Sequence, residues 1–279
     1  METVAQKEWQ GLFEKLAAEK GTVLLLGATD TGKSTLVRYM ITRLVETGTP
    51  VSLVDADIGQ SSLGLPGTIS LQTFHTPAEV EIFRFEQLSF VGAVSPARII
   101  PLVIEETHRM ALLGKAKAEI TLIDTTGLVA GELGRELKLG KIGAIGPGRL
   151  IAIERHDELR HILTSIEDIP VSILKPSPMV KVRSQEARSR YRLSKLAAYF
   201  ASTREFFLST RDVRIFYRNR PAGMMVLQAL PGTLIGLNHG DETLGLGIAG
   251  ELDEDSATFR TPLTSLHKIN RVILGDITV

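Results

Sequence analysis

Several residue types and patterns that define common functions are missing from this chain of 279 residues. It contains no cysteine, which excludes disulfides, zinc–thiolate sites and thiol nucleophiles. No apolar run approaches the roughly 20 residues that a membrane span requires. The N-terminal segment also lacks the uninterrupted apolar stretch of a secretory signal. We therefore predict a cytoplasmic protein that has no membrane partner.

Net charge is absent as well. The chain has 32 Lys and Arg against 32 Asp and Glu, so a nucleic-acid partner would have to be held by a local basic patch. The six histidines are scattered, and the nearest two, His156 and His161, lack the spacing of a metal pair on one helix face. No Asn-Lys-x-Asp guanine signature occurs, so the choice of nucleotide base stays open.

The most informative segment is residues 27–35, Gly-Ala-Thr-Asp-Thr-Gly-Lys-Ser-Thr, which fits the phosphate-binding pattern of two glycines, a lysine and a hydroxyl residue. An apolar run at residues 23–26 precedes it, and apolar side chains recur at helical spacing after it, which predicts a helix that begins near Lys33. The unpaired amides at the start of such a helix favour an anion. We therefore expect Lys33 to reach the nucleotide phosphates and the Ser34 hydroxyl to ligate Mg²⁺. The predicted nucleotide-binding residues are Gly27, Thr29, Asp30, Thr31, Gly32, Lys33, Ser34 and Thr35.

Two other predicted strands end in acidic residues. The strand at residues 51–55 continues into Asp-Ala-Asp-Ile-Gly-Gln, and the strand at 120–124 continues into Thr-Thr-Gly. Ligands of open α/β sheets bind at the carboxyl ends of the strands, where a carboxylate can hold Mg²⁺ or accept a proton. The alternative is that these acids only cap the next helix or turn. The predicted metal ligands are Ser34, Asp55 and Asp124.

A basic segment follows the core strands. Residues 175–195 contain seven cations and a single acid. Ser184 is a suitable N-cap, so we predict a helix from about residue 185 to 200, with Arg188 and Arg192 on one face. A solvated helix face is the alternative, but so one-sided a run in a neutral protein favours an anionic partner.

The alternation of strands and helices predicts an α/β fold with a doubly wound, mostly parallel sheet. Strands at residues 150–153 and 171–174 complete a core of five strands. The other elements predicted in this part are a loop at residues 61–70, a hairpin or edge strands at 80–90, and helices at 97–113 and around 157–166.

From about Phe206 the sequence changes to short β-type runs, which predict a small C-terminal β domain. Its predicted strands are residues 213–217, 223–230, 233–237, 243–248, 257–260 and 271–279, with turns at 238–241 and 253–255. We divide the chain into an N-terminal amphipathic helix (residues 1–20), a P-loop domain (21–203) and the β domain (204–279).

Together these segments resemble the polynucleotide 5′-hydroxyl kinases of the RNA-processing type, the family of the kinase subunit of the mRNA cleavage factor and its ribosomal-RNA-processing relatives. The resemblance rests on the phosphate loop, Asp-Ala-Asp-Ile-Gly-Gln, Gly-Ala-Val-Ser-Pro, Asp-Thr-Thr-Gly and the arginine helix. It covers most of residues 21–279. It implies transfer of the γ-phosphate of ATP or GTP, with Mg²⁺, to the 5′-hydroxyl end of RNA or DNA.

The resemblance also implies roles for individual residues. Lys33 would serve the triphosphate, and Asp57 would be the general base, with Asp55 nearby. The arginines fall where the family has a lid, here about residues 175–203, that closes over the phosphates. The implied catalytic residues are therefore Lys33, Asp57, Arg183, Arg188 and Arg192, and the implied substrate-binding residues are Asp57, Gln60, Ser95 and Thr126.

Two features of the sequence depart from the family pattern. Leu128 stands where some members have a tryptophan that clasps the first nucleotide, so base stacking on an indole is unavailable. The N-terminal domain of the eukaryotic members corresponds here to about twenty residues, so the resemblance does not imply a role as a subunit of a large processing complex, and protein partners stay unknown.

Two other functions fit the same motifs. A switch-type P-loop NTPase or metal-centre assembly factor would hydrolyse ATP or GTP with a protein partner, because Asp-Thr-Thr-Gly at a strand end also suits a nucleotide-sensing loop. A non-catalytic nucleotide-binding module would only support a basic surface. Stimulation by 5′-hydroxyl oligonucleotides separates the kinase from both. Residues 154–159, which follow a core strand, are predicted to approach the nucleotide base.

Overall fold

Two seven-stranded β-sheets form the framework of the protein. The computed structural model describes residues 7–209, 211–218, 220–222, 231–252 and 256–279. In chain order its elements are α1 (Lys7–Glu19), β1 (Gly21–Gly27), α2 (Lys33–Glu46), β2 (Val51–Ala56), β3 (Thr68–Phe74), α3 (Pro77–Val80), β4 (Gln87–Phe90), a 3₁₀ turn (Pro96–Arg98), α4 (Ile100–Lys117), β5 (Ile120–Thr125), α5 (Gly131–Ile145), β6 (Arg149–Ile153), α6 (Arg160–Leu163), β7 (Val171–Leu174), α7 (Gln185–Tyr199), β8 (Arg204–Ser209), β9 (Arg214–Tyr217), β10 (Arg220–Pro221), β11 (Thr233–His239), β12 (Glu242–Leu252), β13 (Ser256–Thr261) and β14 (Arg271–Thr278).

The first sheet contains the five core strands that the apolar runs predict. Its order is β4-β3-β2-β5-β1-β6-β7, and the last five strands of that order are parallel. β1 lies in the interior of the sheet, so the glycine loop that follows it emerges between β5 and β6. β3 and β4 add an antiparallel edge. The predicted mostly parallel sheet is confirmed.

Helices cover both faces of this sheet because alternate side chains of a strand point in opposite directions. Val23 and Leu25 of β1 belong to one buried cluster, together with α1 and α2. Leu24 and Leu26 belong to a second cluster, together with α4 and α5. Residues 23–26 of β1 are all apolar because both faces of the strand are buried. This arrangement confirms the predicted doubly wound fold.

The helix boundaries differ in part from those predicted. α2 begins at Lys33, as predicted, whereas α4 begins only at Ile100, because Pro101 lacks an amide hydrogen and fits the first turn. The helix predicted around residues 157–166 is only the short α6. α5 was not predicted, since four of its 15 residues are glycine, a poor helix former. Within the described residues, no helix is both long and apolar enough to cross a bilayer.

One loop prediction and one strand prediction in this domain are correct only in part. β3 begins inside the segment 61–70, which we expected to be a loop; the loop ends at Gly67, which has a φ of 77°. The segment 80–90 contains only one strand, β4, at its C-terminal end. β3 carries Ser70, Gln72 and Thr73 at buried positions, and these polar residues concealed the strand pattern.

The second sheet forms the predicted C-terminal β domain. Its order is β10-β9-β14-β11-β12-β13-β8, and among its described pairs only β9 and β14 are parallel. The predicted turn at residues 238–241 joins β11 to β12. β8 is an additional strand, and the predictions at 223–230 and 253–255 lie outside the described residues. The two sheets meet at β4, where the Phe90 amide donates to Thr243 Oγ1 over 3.0 Å.

Candidate active site

The phosphate loop lies between β1 and α2 in a conformation that requires its two glycines. A Cβ on Gly27 would come within 2.7 Å of the carbonyl oxygen of Ile153, and Gly32 has a φ of 92°, which favours glycine. Lys33 is buried, and its Nζ donates to the carbonyl oxygens of Gly27 (2.9 Å) and Ala28 (2.8 Å). Burial lowers the pKa of Lys33, and the charge of Asp124 opposes this effect.

The other predicted loop residues surround this lysine. Thr31 is buried and donates through Oγ1 to the carbonyl oxygen of Ala28 over 3.0 Å, whereas Thr29, Ser34 and Thr35 are exposed. Thr29 also lies directly against Gly127, where no side chain would fit. The residues that precede α2 and those that follow β5 are therefore in contact.

Ser34 and Asp124 form a pair with the chemistry of a magnesium site. Ser34 Oγ donates to Asp124 Oδ2 over 2.6 Å, and Asp124 Oδ1 is buried without a hydrogen-bond partner among the described residues. Burial and the charge of Asp55 raise the pKa of Asp124 to about 7. Within the described residues there is no group of three or more His, Asp or Glu that could hold a metal. Mg²⁺ needs only one or two protein ligands beside phosphate oxygens and water, so this pair fits it.

Asp55 lies beside this pair, and its carboxylate accepts hydrogen bonds from the loop that follows β2. Its carboxylate accepts five hydrogen bonds, from the amides of Asp57, Ser62 and Leu63 and from the hydroxyls of Ser61 and Ser62. The donors are spread over both carboxylate oxygens, with four of them on Oδ2. Oδ1 accepts only the Asp57 amide, so the role of Asp55 as a metal ligand stays a prediction. The carboxylate of Asp55 folds the loop after β2.

Asp57, two residues further, has a different environment. It is half-buried, and its Oδ1 accepts the amides of Gly59 (3.1 Å) and Gln60 (3.0 Å). Its Oδ2 accepts no hydrogen bond from the described residues. Gln60 Nε2 donates to the carbonyl oxygens of Gly59 (2.8 Å) and Arg188 (3.4 Å), and Gln60 Oε1 is buried without a partner. One oxygen of Asp57 is thus fixed by the backbone, and the other has no hydrogen-bond partner among the described residues.

The arginine helix forms as predicted, and its first part contacts the phosphate loop. Ser184 caps α7 by accepting the Ala187 amide over 3.2 Å. Asp30, which has a φ of 54°, accepts the Arg183 amide (2.9 Å) and Arg188 Nη2 (2.7 Å) on one carboxylate oxygen. Arg192 is half-buried and has no ion pair among the described residues. Arg183 and Arg188 therefore contact the phosphate loop at Asp30, the first through its backbone and the second through its side chain.

The second part of α7 is docked on the loop that Asp55 folds. Lys195 Nζ donates to the carbonyl oxygens of Ser61 (2.8 Å), Ser62 (3.0 Å) and Gly64 (2.8 Å). Tyr191 adds a hydrogen bond from its hydroxyl to the Ser61 carbonyl oxygen over 3.0 Å. In the sequence Lys195 is only one of the seven cations of residues 175–195, and nothing there shows which carbonyl groups it contacts.

Two further residues missed from the sequence are Lys138 and Lys141, both fully buried on α5. Lys138 Nζ donates to Thr125 Oγ1 (2.8 Å) and to the Thr126 carbonyl oxygen (2.5 Å). We call Asp55, Asp124, Thr125, Thr126 and Lys138 the strand-end cluster. The sequence pattern that could have identified these lysines is their helical spacing within an apolar face formed by Leu137, Ile142 and Ile145.

The remaining predicted residues are less closely gathered. Thr126 is buried, and its hydroxyl has no partner among the described residues. Ser95 is exposed and makes no described hydrogen bond. Leu128 is half-buried against the second apolar cluster, and Glu154 is buried after β6.

Comparison with known proteins decides the family. A model of the family described as "mRNA cleavage and polyadenylation factor CLP1 P-loop" matches residues 27–202. The chain belongs to this family. The CLP1 P-loop match covers the phosphate loop, the strand-end cluster and the lid, and it confirms the resemblance that the motifs indicated.

Curated relatives of the CLP1 P-loop family agree. A polyribonucleotide 5′-hydroxyl-kinase of Pyrococcus horikoshii is 35% identical over 206 residues, which are 72% of this chain and 56% of the relative. One of Methanocaldococcus jannaschii is 34% identical over 213 residues, 73% of this chain and 58% of the relative. The Clp1 kinase of Danio rerio is 28% identical over 72% of this chain and 49% of the relative. This chain thus matches about half the length of these relatives.

A solved structure supports the fold of both domains. The wild-type Clp1p–Pcf11p complex superposes with a TM-score of 0.79, covering 100% of this chain and 80% of that chain, at 13% identity. At that identity the likeness establishes the architecture alone.

Proposed function

We propose that this chain transfers the γ-phosphoryl group of ATP or GTP to the 5′-hydroxyl end of RNA or DNA. The observation that carries the proposal is the position of Asp57 at the end of β2, in a sheet where β2, β5 and β1 are neighbours. Its Oδ2 is available to a hydroxyl group, while β5 and β1 bring Asp124 and the phosphate loop to the same edge. The relatives named as polyribonucleotide 5′-hydroxyl-kinases add support.

In this proposal Asp57 accepts the proton of the 5′-hydroxyl. Its Oδ1 is fixed by two backbone amides, so Oδ2 meets the acceptor in one orientation. A carboxylate is a weak base, so most of the rate comes from positioning and from stabilisation of charge. Lys33 and the amides at the start of α2 contribute that stabilisation on the phosphates.

Ser34 and Asp124 would hold the Mg²⁺ that accompanies the triphosphate. The bound ion neutralises phosphate charge. Asp55 contributes indirectly, by folding the loop whose carbonyl groups bind Lys195 of α7.

The lid arginines complete the site by exchanging partners. Arg188 forms an ion pair with Asp30, and 29% of the arginine side chain is exposed. A phosphate oxygen is an equivalent anionic acceptor for the guanidinium. Arg192, which has no ion pair among the described residues, can bind a phosphate without giving up another partner. Arg183 is held through its backbone amide, and its guanidinium, which lies over the Tyr191 ring, would turn from that ring to the triphosphate.

The acceptor strand must be held without an indole at position 128. Gln60 Oε1 and Thr126 Oγ1 are buried and unpartnered within the described residues, so we assign them to the acceptor end. Ser95 is exposed and would contact the strand further from the reacting oxygen. We also propose that the domain boundaries lie at residues 20/21 and 203/204. The same proposal includes a cytoplasmic location, where ATP and RNA are available.

The decisive experiment follows γ-³²P from ATP and from GTP, with Mg²⁺, onto matched oligonucleotides of RNA and DNA that end in 5′-hydroxyl or 5′-phosphate. The kinase function predicts label only on 5′-hydroxyl ends. Label on neither oligonucleotide, with release of free phosphate, contradicts it.

That second result would favour the switch-type NTPase. The contact between Thr29 of the phosphate loop and Gly127 after β5 is the observation on its side, because it links the nucleotide site to a loop. Stimulation of phosphate release by a protein partner, and none by oligonucleotides, would establish it.

A further inference from the structure

The proposed reaction does not use the two buried lysines of α5. Lys138 and Lys141 are both 0% exposed and lie three residues apart, on one face of the helix. Burying an ammonium group costs free energy unless hydrogen bonds or charges compensate it. Each of these lysines therefore requires a physical explanation.

Lys138 takes part in a chain of hydrogen bonds that crosses two strands. Its Nζ donates to the Thr126 carbonyl oxygen and to Thr125 Oγ1, and the Thr125 hydroxyl donates to the Leu25 carbonyl oxygen over 2.7 Å. Leu25 belongs to β1 and Thr125 ends β5. One side chain of α5 thus fixes the ends of both strands.

The ends of β1 and β5 carry the residues that we propose bind the nucleotide and its metal. β1 passes into the phosphate loop at Gly27, two residues after Leu25, and Asp124 directly precedes Thr125. Asp124 Oδ1 itself has no hydrogen-bond partner among the described residues. The backbone of Asp124 pairs with β2, and Lys138 adds hydrogen bonds to Thr125 and Thr126, the two residues that follow it.

We propose that Lys138 is a positioning residue that sets the distance between the phosphate loop and Asp124, and thereby the joint binding of Mg²⁺ and a nucleoside triphosphate. This inference rests on the proposed function for the part that Asp124 plays. It adds a residue of α5 that contacts neither the nucleotide nor the metal.

Lys141 provides the matched comparison. It has the same residue type, helix and complete burial, but its Nζ has no hydrogen-bond partner among the described residues. If buried charge alone mattered, replacing either lysine would have the same effect. If the bridge between the strands matters, only Lys138 is sensitive.

The experiment measures binding of a fluorescent ATP analogue with and without Mg²⁺, at pH 8.5, by the wild-type chain, Lys138→Met and Lys141→Met. We expect Lys138→Met to lose about ten- to a hundredfold of the affinity gained with Mg²⁺, the usual effect of residues that orient metal ligands. Its metal-free affinity should be unchanged, and Lys141→Met should retain the full gain. Equal losses in both variants, or no loss in Lys138→Met, overturn the proposal.

A second variant covers the case in which Lys138→Met does not fold. Thr125→Val keeps the shape of the side chain and removes the hydroxyl between Lys138 and Leu25. A reduced Mg²⁺-dependent gain in folded Thr125→Val supports the proposal, and an unchanged gain overturns it. No acceptor oligonucleotide is present, so a wild-type chain that binds Mg²⁺–ATP without phosphorylating RNA or DNA contradicts the kinase function and leaves this result standing.

Discussion

The strand-end cluster and the lid contribute to the same site, yet they are held in opposite ways. In the cluster, Asp55 accepts five hydrogen bonds and Lys138 donates two, all at buried or half-buried positions. In the lid, Arg188 and Asp30 form an ion pair in which the arginine side chain is 29% exposed. Buried polar groups have no water to replace a lost partner, whereas half-exposed groups do.

This difference separates a fixed part of the site from an exchangeable one. The cluster determines where Asp57, Asp124 and the phosphate loop lie relative to one another. In the proposed function the lid exchanges its contact with Asp30 for a contact with phosphate, because both acceptors are anionic oxygens. Substitutions in the cluster should therefore change stability or geometry, and substitutions in the lid should change binding and rate while the fold persists.

The largest effect is expected at the two residues that carry the proposed chemistry. Asp57→Asn removes the base without changing the shape of the side chain, and we expect phosphate transfer to fall about 10²–10⁴-fold. Lys33→Ala should reduce it by a similar factor, since it removes charge stabilisation from the phosphates. Initial rates of label transfer measure both, and thermal unfolding serves as the control. Undiminished transfer by folded Asp57→Asn would remove Asp57 from the mechanism.

Asp55 tests whether the cluster is structural. Asp55→Asn leaves several of its five donors without a charged acceptor, and we expect the free energy of unfolding to drop by about 3 kcal/mol. Denaturant titration measures this loss. A variant of unchanged stability that lost only Mg²⁺ affinity would show that Asp55 is a metal ligand.

Lys141 sharpens the comparison within the buried part. Burial lowers the pKa of Lys141 to about 7, against 10.5 for an ordinary lysine. Between about pH 7 and 10.5 the unfolded chain binds the additional proton, so the free energy of unfolding should rise with pH by up to about 1.4 kcal/mol per unit. Lys141→Met should remove this contribution and stabilise the protein by about 1–4 kcal/mol near pH 7. Parallel pH profiles for the two proteins would show that Lys141 is not a buried, poorly solvated amine.

The sequence predicted the fixed part well at the level of strands and loops. The phosphate loop, the acids after β2 and β5 and the helix at Lys33 were all recognisable, because each follows from an apolar run with a short polar motif at its end. Asp55 and Asp57, however, look equivalent in the sequence. Only the folded loop shows that Asp55 accepts five hydrogen bonds, whereas Asp57 has one oxygen without a partner among the described residues.

The sequence was less informative about α5 and about the docking of α7. Four glycines in α5 conceal a helix that tertiary packing stabilises, and the lysines it buries resemble surface residues in a linear pattern. The three carbonyl groups that Lys195 meets come from a loop more than 130 residues away. Such contacts depend on the tertiary arrangement and leave no local signal.

Lys195 tests the docking of the lid. Lys195→Met removes three hydrogen bonds from a charged donor, and we expect kcat/KM to fall about tenfold while the melting temperature changes little. Limited proteolysis should show faster cleavage within residues 175–203. The matched control is Lys181→Met, an exposed lysine of the same lid. Equal effects of the two substitutions would mean that only the charge of the lid matters.

The smallest effect is expected at the exchangeable pair itself. Asp30→Asn keeps a residue that tolerates the left-handed backbone at φ 54° and removes the charge that holds Arg188. The pair is partly buried, with 29% of the arginine and 13% of the aspartate side chain exposed, and we take its contribution as about 1 kcal/mol. We therefore expect the apparent affinity for the triphosphate to rise about fivefold, because Arg188 no longer has to leave a partner. Equilibrium binding of the fluorescent ATP analogue measures the change. A loss of affinity would instead show that Asp30 acts by keeping Arg188 oriented toward the phosphates, and the lid would then belong with the strand-end cluster as part of the fixed site.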